Sequence, residues 1–438
     1  MFVDPIIYQI PEGIDRERFI IATYYCAGKA STNMVKFAAA LAIEQTCGTW
    51  LKVPGETPEV RERAIGRLIG VYEAPAYQIG IPEDVTERHF IIRIAYPWAN
   101  FGPYFSMMLS TVLGNISSSG KVKLLDLEFP QSFLKNFKGP KFGVQGIRDL
   151  LGVYDRPLLN NMIKPCIGLD PQKTAELAYE AAVGGVDIIK DDELVSDPSF
   201  CPLVDRVKAV MEALQKANEV KGEKTLYAFN ITGPLDLMRE RAHAAIDAGA
   251  NALLINYATV GLDNARAIAE DPEINVPLLA HSDYTGATYE SEWSGMSATL
   301  IGAKLPRLAG LDMVISLTPY GKFPMMMDTF INSGLQMLAP FGHIKPVFPM
   351  PGGGTTQGHI EDIMKKFGND VMIAAGGAIH GHPMGPAAGA RAFRQGIDAV
   401  KAGKTLVEAA KEYPELAAAL SAWGVYEEKR GGIFDLKG

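Results

Sequence analysis

Short apolar runs alternate with helix-like stretches along the chain from residue 157 to residue 378. Eight runs are present: PLLNNMIKP, VDIIKDD, LYAFNITG, NALLINYA, PLLAHSD, DMVISLTP, KPVFPMPGGG and VMIAAGGA. Between them, segments such as PQKTAELAYEAAVGG and HIEDIMKKFG have apolar residues at helical spacing. A strand followed by a helix, repeated eight times, predicts a closed parallel (β/α)8 barrel, for which roughly 250 residues is typical. A doubly wound open sheet is the alternative.

The first part of the chain has a mixed pattern. FIIATYYCAG, HFIIRIAYPWANF and KVKLLDLEFP predict strands, and MVKFAAALAIEQT has the spacing of an amphipathic helix. Glycine and proline in NFKGPKFGVQG then mark a change of pattern. We therefore predict an α+β domain over residues 1–138 and the barrel over residues 139–438.

Polar residues and glycines mark the ends of the predicted barrel strands, where the chemistry of such barrels occurs. The first six strands end at Lys164, Lys190, Asn230, Asn256, His281 and Thr318. The last two end in the glycines 352–354 and 376–377, whose backbone N–H groups could approach an anion closely. One glycine pair is as consistent with a tight turn as with phosphate binding, but two pairs on adjacent final strands favour a phosphate site.

The stretch GGVDIIKDDELVSD places one cation and three carboxylates directly after an apolar strand. Because side chains alternate along a strand, Lys190 and Asp192 should share one face while Asp191 points away. Glu193 falls where the strand gives way to a loop. A solvated charge run is the simplest interpretation; the strand-end position instead favours a site for a hard cation, if Lys190 can become neutral or anionic.

Composition excludes some classes of function. Hydrophobic residues make up 47% of the chain, the net charge is −8, and lysine and arginine are scattered, which argues against a nucleic-acid or membrane surface. The four cysteines stand far apart without a CxxC pair, so neither a zinc site nor a disulfide framework is indicated. We expect a reduced, cytoplasmic protein that acts on a small molecule.

The motifs resemble those of the RuBisCO large-chain family. GGVDIIKDDE is similar to the signature in which a lysine is carbamylated by CO2 and holds Mg2+ together with an aspartate and a glutamate, and EQTCGTW, KPCIGL, YGK, GGG and GGAIHGHPMGP follow in family order. The resemblance implies a ferredoxin-like α+β domain before the barrel. It also implies a Mg2+ site formed by Lys190 as carbamate, Asp192 and Glu193.

The resemblance also implies roles for single residues. Lys164 would handle protons, provided that burial and the nearby cation lower its pKa, His281 would lie in the active site, and Lys322 would close over the substrate. One phosphate would be bound by Thr49, Trp50, Lys322, Gly353, Gly354, Gly376 and Gly377. Glu44, Thr49, Trp50 and Asn115 would complete the site of a neighbouring subunit, so a homodimer with shared sites is expected.

Departures from the carboxylating enzymes point away from CO2 fixation. Cys166 stands where these enzymes carry a second lysine, Ser282 replaces an arginine, Ile315 a histidine and Gly352 a serine. The last three positions serve a second phosphate, so only one phosphate site survives. The chain therefore resembles the RuBisCO-like proteins of form IV.

Several reactions are compatible with this centre. The sequence favours Mg2+-dependent decarboxylation of a monophosphorylated keto sugar acid of the 3-oxo-isoapionate 4-phosphate type, which passes through an enediolate. The alternatives are a 2,3-diketo-5-methylthiopentyl-1-phosphate enolase, a methylthioribulose-phosphate isomerase, and a non-catalytic protein that binds a phosphorylated metabolite. The family's enolases carry a lysine where this chain has Asn115, which is the reason for preferring the decarboxylase. His380 and His382 have the spacing of a metal pair, but a structural role is favoured.

Overall fold

A computed structural model describes residues 4–49, 51, 53–321 and 323–427. The predicted site residues Trp50 and Lys322 lie outside these described residues.

The strands are β1 (Phe19–Lys29), β2 (Arg67–Glu73), β3 (Glu87–Pro97), β4 (Val122–Glu128), β5 (Leu158–Met162), β6 (Ile188–Lys190), β7 (Leu226–Asn230), β8 (Ala252–Asn256), β9 (Leu278–His281), β10 (Ser294–Met296), β11 (Met313–Leu317), β12 (Phe348–Gly352) and β13 (Met372–Ala375). The helices are α1 (Met34–Glu44), α2 (Pro58–Ala64), α3 (Phe105–Val112), α4 (Gln131–Leu134), α5 (Gly143–Leu151), α6 (Pro171–Val183), α7 (Leu203–Lys221), α8 (Leu235–Asp247), α9 (Tyr257–Val260), α10 (Leu262–Ala269), α11 (Gly286–Tyr289), α12 (Leu305–Leu308), α13 (Met327–Leu338), α14 (Ile360–Phe367), α15 (Gly377–His380), α16 (Pro386–Lys401), α17 (Leu406–Ala409) and α18 (Pro414–Trp423).

The N-terminal strands form a ferredoxin-like sheet. β4, β1, β3 and β2 lie side by side in that order and pair antiparallel, with α1 after β1 and α3 before β4. Along β1 every second residue from Ile20 to Cys26 is buried in the same hydrophobic core as Ala38 and Leu41 of α1. This alternation fixes the register of β1, since a slip by one residue would turn its apolar side chains away from the helix.

The second sheet contains the eight predicted barrel strands. They pair parallel in the order β12-β11-β9-β8-β7-β6-β5-β13. β12 and β13 are also neighbours, because a Cβ built on Gly352 would lie 3.4 Å from the Cβ of Ala374. The sheet thus curls into a barrel, as the alternation of runs predicts.

The strand pattern aims polar side chains at the barrel mouth. Ile188, Leu254 and Leu279 belong to the apolar cluster inside the barrel. Lys190, Asn256 and His281 each follow one of these residues by two positions and so point to the same side, at the C-terminal ends of the strands. At the opposite end, the buried pair Arg156 and Asp187 joins the starts of β5 and β6 through hydrogen bonds of 2.7 and 2.8 Å.

One strand connects the two sheets. β10 comes from the barrel part of the sequence, but it pairs parallel with β4, with Ser294 opposite Val122. The domain boundary between residues 138 and 139 stays a prediction. Among the described residues, no helix has the length and apolarity needed to cross a membrane.

Candidate active site

A cavity of about 780 Å3 opens at the C-terminal end of the barrel. It brings together side chains from β6, β9 and the segment after β5 with the glycines that follow β12 and β13. The predicted site residues in its lining are Lys164, Lys190, Glu193, His281, Gly353, Gly354, Gly376 and Gly377. Residues separated by more than 200 positions in sequence therefore share one pocket, at the end of the barrel where the sequence places them.

Lys190, Glu193 and His281 form a connected group at the centre of the mouth. Lys190 is fully buried, and its Nζ lies 3.1 Å from Glu193 Oε2 and donates to the Asp191 carbonyl at 2.7 Å. His281 Nε2 lies 3.1 Å from the same oxygen of Glu193. Burial raises the pKa of the Glu193 carboxyl, but the hydrogen bond from His281 and the positive charge of Lys190 outweigh it and hold this pKa well below its ordinary value. Glu193 is therefore an anion across the physiological pH range.

Lys164 lines the cavity and contacts Asp192, a buried carboxylate that lies outside the described lining. Its Nζ donates to Asp192 Oδ2 at 2.7 Å and to Cys166 Sγ at 3.0 Å. Burial lowers the pKa of Lys164, but the hydrogen bonds with Asp192 and Cys166 outweigh it and leave the pKa above its ordinary value. The protein groups around Lys164 therefore do not by themselves lower its pKa. Cys166 is half-buried and accepts a hydrogen bond from Lys164.

The backbone that carries Asp192 and Glu193 is held by two asparagines at neighbouring strand ends. Asn230 and Asn256 each donate from Nδ2 to the Glu193 carbonyl, at 3.1 and 3.0 Å. These two predicted strand-end residues thus support the site instead of lining it. Thr318 is buried and also lies outside the lining.

The donor set of the mouth fits a hard divalent cation. Asp192 and Glu193 supply carboxylate oxygens, and a carbamate on Lys190 would add two more oxygens beside Glu193. Asn256 Oδ1 is buried without a hydrogen-bond partner among the described residues, which leaves one further oxygen for water or an ion. In the protein alone, Lys190 pairs with Glu193 and Lys164 pairs with Asp192.

The glycines of the last two strands are required by the geometry of the mouth. Gly353 and Gly354 have φ values of +85° and +115°, in the region that residues with side chains rarely adopt. A Cβ on Gly376 would lie 3.0 Å from Cε of Lys164 and 3.2 Å from the carbonyl of Met162. The absence of a side chain at Gly376 leaves room for Lys164.

The cavity wall is short of cations and rich in apolar groups. Ser282, Ile315 and Gly352, the three departures at the predicted second phosphate site, all line it. Met162, Leu317 and Phe323 add apolar surface. Among the described lining residues there is no arginine, and the only lysines are Lys164 and Lys190. Leu317 was not among the predicted site residues, although the alternation of side chains along a strand places it on the same side as Ile315, two positions earlier.

Three predicted site residues lie away from this cavity. Glu44, Thr49 and Asn115 are exposed on the N-terminal domain. Glu44 and Asn115 are near each other, because a Cβ built on Gly114 would lie 3.4 Å from Nε2 of Gln45. Their exposure leaves them available to a second copy of the chain, and the structure of one chain does not bring them to the site.

The two histidines after β13 have different partners. His380 Nε2 lies 3.0 Å from Asn161 Oδ1, whereas His382 Nε2 lies 3.0 Å from the carbonyl of Glu415 and its Nδ1 accepts from the N–H of Met384. The two rings therefore bond to different parts of the protein, and the structural role favoured by the sequence stays a prediction. Burial and the nearby Lys164 ammonium lower the pKa of His380 to about 4.

This low pKa predicts a loss of stability in acid. The unfolded chain binds a proton at His380 near pH 6.5 and the folded chain only near pH 4, so stability falls as pH falls between these values. His380 should account for a loss of about 2 kcal/mol between pH 7 and pH 5. Urea unfolding at both pH values should show a smaller loss in His380→Gln than in the wild type. An equal loss in both proteins would contradict the assignment.

Comparisons with known proteins extend over both domains. Residues 143–423 match the family described as ribulose bisphosphate carboxylase large chain, catalytic domain, and residues 9–133 match its N-terminal domain. The chain is 54% identical over 396 residues to a ribulose bisphosphate carboxylase-like protein of Archaeoglobus fulgidus, covering 90% of this chain and 91% of that protein. It is 37% identical over 412 residues to the 2,3-diketo-5-methylthiopentyl-1-phosphate enolase of Geobacillus thermodenitrificans, covering 93% and 98%.

Solved structures of similar proteins have the same fold. A rubisco-like protein (MtnW) of Alicyclobacillus acidocaldarius matches with a TM-score of 0.85 at 36% identity, over 93% of this chain and 100% of that one. A dimeric archaeal Rubisco of Hyperthermus butylicus matches with a TM-score of 0.84 at 29% identity, over 95% and 98%.

Proposed function

Because the chain belongs to the RuBisCO large-chain family, we propose that it is an enzyme that enolises a monophosphorylated diketone, with 2,3-diketo-5-methylthiopentyl-1-phosphate as the first candidate substrate. The enolase relatives support this choice over the decarboxylation that the sequence favoured. No carboxylase activity is proposed.

The observation that carries the proposal is the uneven chemistry of the cavity wall. Glycine loops offer N–H donors for one phosphate, whereas the positions of the second phosphate site carry Ser282, Ile315 and Gly352. Beside them, Leu317 and Phe323 add apolar surface. A bisphosphate would lack charge-assisted hydrogen bonds here, but a substrate with one phosphate and an apolar end would bury that end favourably.

The residues of the mouth would divide the chemistry between them. The carbamate of Lys190, Asp192 and Glu193 would hold Mg2+, which would stabilise negative charge on the two neighbouring carbonyl oxygens of the substrate. Lys164, whose Nζ touches Asp192, would move the proton between substrate carbon and solvent. His281 would hold Glu193 in place through its hydrogen bond.

A homodimer is part of the proposal. Glu44, Thr49 and Asn115 are exposed and away from the cavity of their own chain, so a second copy would have to bring them to the mouth. Trp50 and Lys322, which lie outside the described residues, are assigned to phosphate binding and closure on the sequence resemblance alone. A cytoplasmic location is likewise proposed on the sequence.

Decarboxylation of a phosphorylated keto sugar acid is the second candidate. It is favoured by Asn115, which stands where the family resemblance implies a lysine in the enolases. Both reactions develop the same negative charge next to the metal site, and they differ in whether a proton or CO2 leaves the adjacent carbon.

The test separates these reactions. The protein is treated with Mg2+ and bicarbonate and given the diketone phosphate or 3-oxo-isoapionate 4-phosphate, with absorbance of the enol, CO2 release and deuterium uptake from D2O measured together. We expect enol formation from the diketone without CO2. CO2 from the keto acid with no enol from the diketone would favour decarboxylation, and no turnover of either would favour a binding protein.

The phosphate site can be tested separately from catalysis. Gly353→Ala places a side chain at a φ of +85°, which should cost about 1–2 kcal/mol of stability, and should weaken the binding of inorganic phosphate by about tenfold. Gly403→Ala is the matched control, because Gly403 has a φ of +75° on the surface with nothing within 4 Å of its Cβ. It should lose similar stability and keep its phosphate affinity in calorimetric titration. Equal phosphate affinity in both variants would remove Gly353 from the site.

A further inference from the structure

Asp191 lies between Lys190 and Asp192 in the chain. Its contacts have no role in the proposed reaction. Its side chain is 3% exposed and lies outside the cavity lining. Oδ2 accepts from Arg206 Nε at 3.2 Å and Nη2 at 3.0 Å and from the backbone N–H of Asn230 at 2.9 Å. Oδ1 accepts from the Tyr227 hydroxyl at 2.8 Å. Four donors thus fix one buried carboxylate.

Arg206 extends this network to the loop that follows Glu193. It lies on α7, is fully buried, and donates from Nη1 to the Cys201 carbonyl at 2.8 Å and from Nη2 to the Ser196 carbonyl at 2.6 Å. The same guanidinium therefore holds Asp191 on one side of the candidate metal ligands and their loop on the other. These contacts, with the Asn230 and Asn256 amides on the Glu193 carbonyl, restrain the segment that carries Asp192 and Glu193.

Tyr227 is the part of the network that can be altered most gently. It lies on β7, its ring is fully buried, and it stacks on Phe229 with centroids 4.4 Å apart. Removal of its hydroxyl would leave this packing in place and would take away only the donor to Asp191 Oδ1. Asp191 would still have Arg206 and the Asn230 N–H as partners.

We propose that Asp191, Arg206 and Tyr227 form a positioning cluster that sets the metal-binding geometry of Asp192 and Glu193 from outside the cavity. The inference rests on the proposed function, because it assumes that these carboxylates bind the cation. Asp191 contacts Arg206 of α7, whereas Lys190 lines the mouth and Asp192 accepts a hydrogen bond from Lys164, which also lines it. A fixed ligand geometry matters most for Mg2+, which demands near-ideal coordination.

The test compares Tyr227→Phe with Tyr257→Phe. Tyr257 is equally buried, and its hydroxyl donates to the Ile301 carbonyl at 2.9 Å, so both variants lose one buried hydrogen bond in the same barrel. Mn2+ binding in the presence of bicarbonate is followed by electron paramagnetic resonance, carbamate formation by 13C NMR with labelled bicarbonate, and the binding of inorganic phosphate by calorimetry.

We expect Tyr227→Phe to weaken Mn2+ binding by about five- to tenfold and to reduce the carbamate signal, with phosphate affinity unchanged within about twofold. Tyr257→Phe should leave all three unchanged within about twofold. Wild-type Mn2+ affinity in Tyr227→Phe, or an equal loss in both variants, would overturn the positioning role and leave the proposed function intact. A wild-type protein that binds no Mn2+ would overturn the metal site and the inference with it.

Discussion

Turnover of the diketone phosphate is expected to fall by about 1,000-fold or more in Lys190→Met. Methionine keeps an unbranched chain of similar length in the buried position, but it has no amine to form a carbamate. Without the carbamate, only the carboxylates of Asp192 and Glu193 remain as metal ligands. The stabilisation of negative charge on the substrate oxygens is therefore lost. Stimulation by bicarbonate should vanish together with turnover, as measured by enol absorbance over a range of bicarbonate concentrations.

Lys221→Met is the control for loss of a partly buried lysine with a hydrogen-bonded ammonium. Lys221 Nζ donates to the Val186 carbonyl at 2.9 Å and to Thr225 Oγ1 at 2.7 Å, next to the starts of β6 and β7 and so at the opposite end of the barrel. This variant should keep its turnover and bicarbonate dependence, whatever stability it loses. Bicarbonate-dependent activity in Lys190→Met would exclude a carbamate at this residue.

The barrel and the centre of its mouth could be predicted because they follow from local patterns. Each apolar run carries its own signal, and alternation within VDIIKDD separates Lys190, which faces the mouth, from Asp191, which contacts Arg206 outside it. Strand ends in a parallel barrel meet at one face, so the end residues converge without any knowledge of the tertiary contacts.

Other features could not be read from local patterns. The pairing of β10 with β4 joins residues about 170 positions apart in the chain. The sequence of β10, SGM, contains no pattern that predicts this pairing. Arg206 looks like an ordinary charge on a helix until its burial against Asp191 is known. The pKa of Lys164 depends on the close approach of Asp192 and Cys166, which outweighs the burial that the sequence suggested.

The choice between reactions depends on a single disagreement. Asn115 favours decarboxylation by its mismatch with the enolases, whereas the apolar wall and the named relatives favour enolisation. Since Asn115 is exposed on the N-terminal domain, its effect on the chemistry requires a second copy of the chain. In the proposed homodimer, a change at position 115 would alter the polar groups near the substrate without altering Lys190, Asp192 or Glu193.

Lys164→Met is expected to lower turnover by about 100- to 10,000-fold, the range typical for loss of a general acid or base. Deuterium uptake from D2O should fall in parallel, because the proton would no longer have a carrier beside Asp192. Mn2+ affinity should be kept or increased, since the variant removes a positive charge 2.7 Å from a candidate metal ligand. This combination distinguishes Lys164 from Lys190, whose loss should weaken metal binding and turnover together.

Lys304→Met is the matched control. Lys304 Nζ lies 2.6 Å from Asp126 Oδ1, so this variant also breaks a lysine–aspartate pair, but one that joins the barrel to β4. Full turnover in Lys164→Met, or an equal loss in Lys304→Met, would assign the proton transfer to another residue.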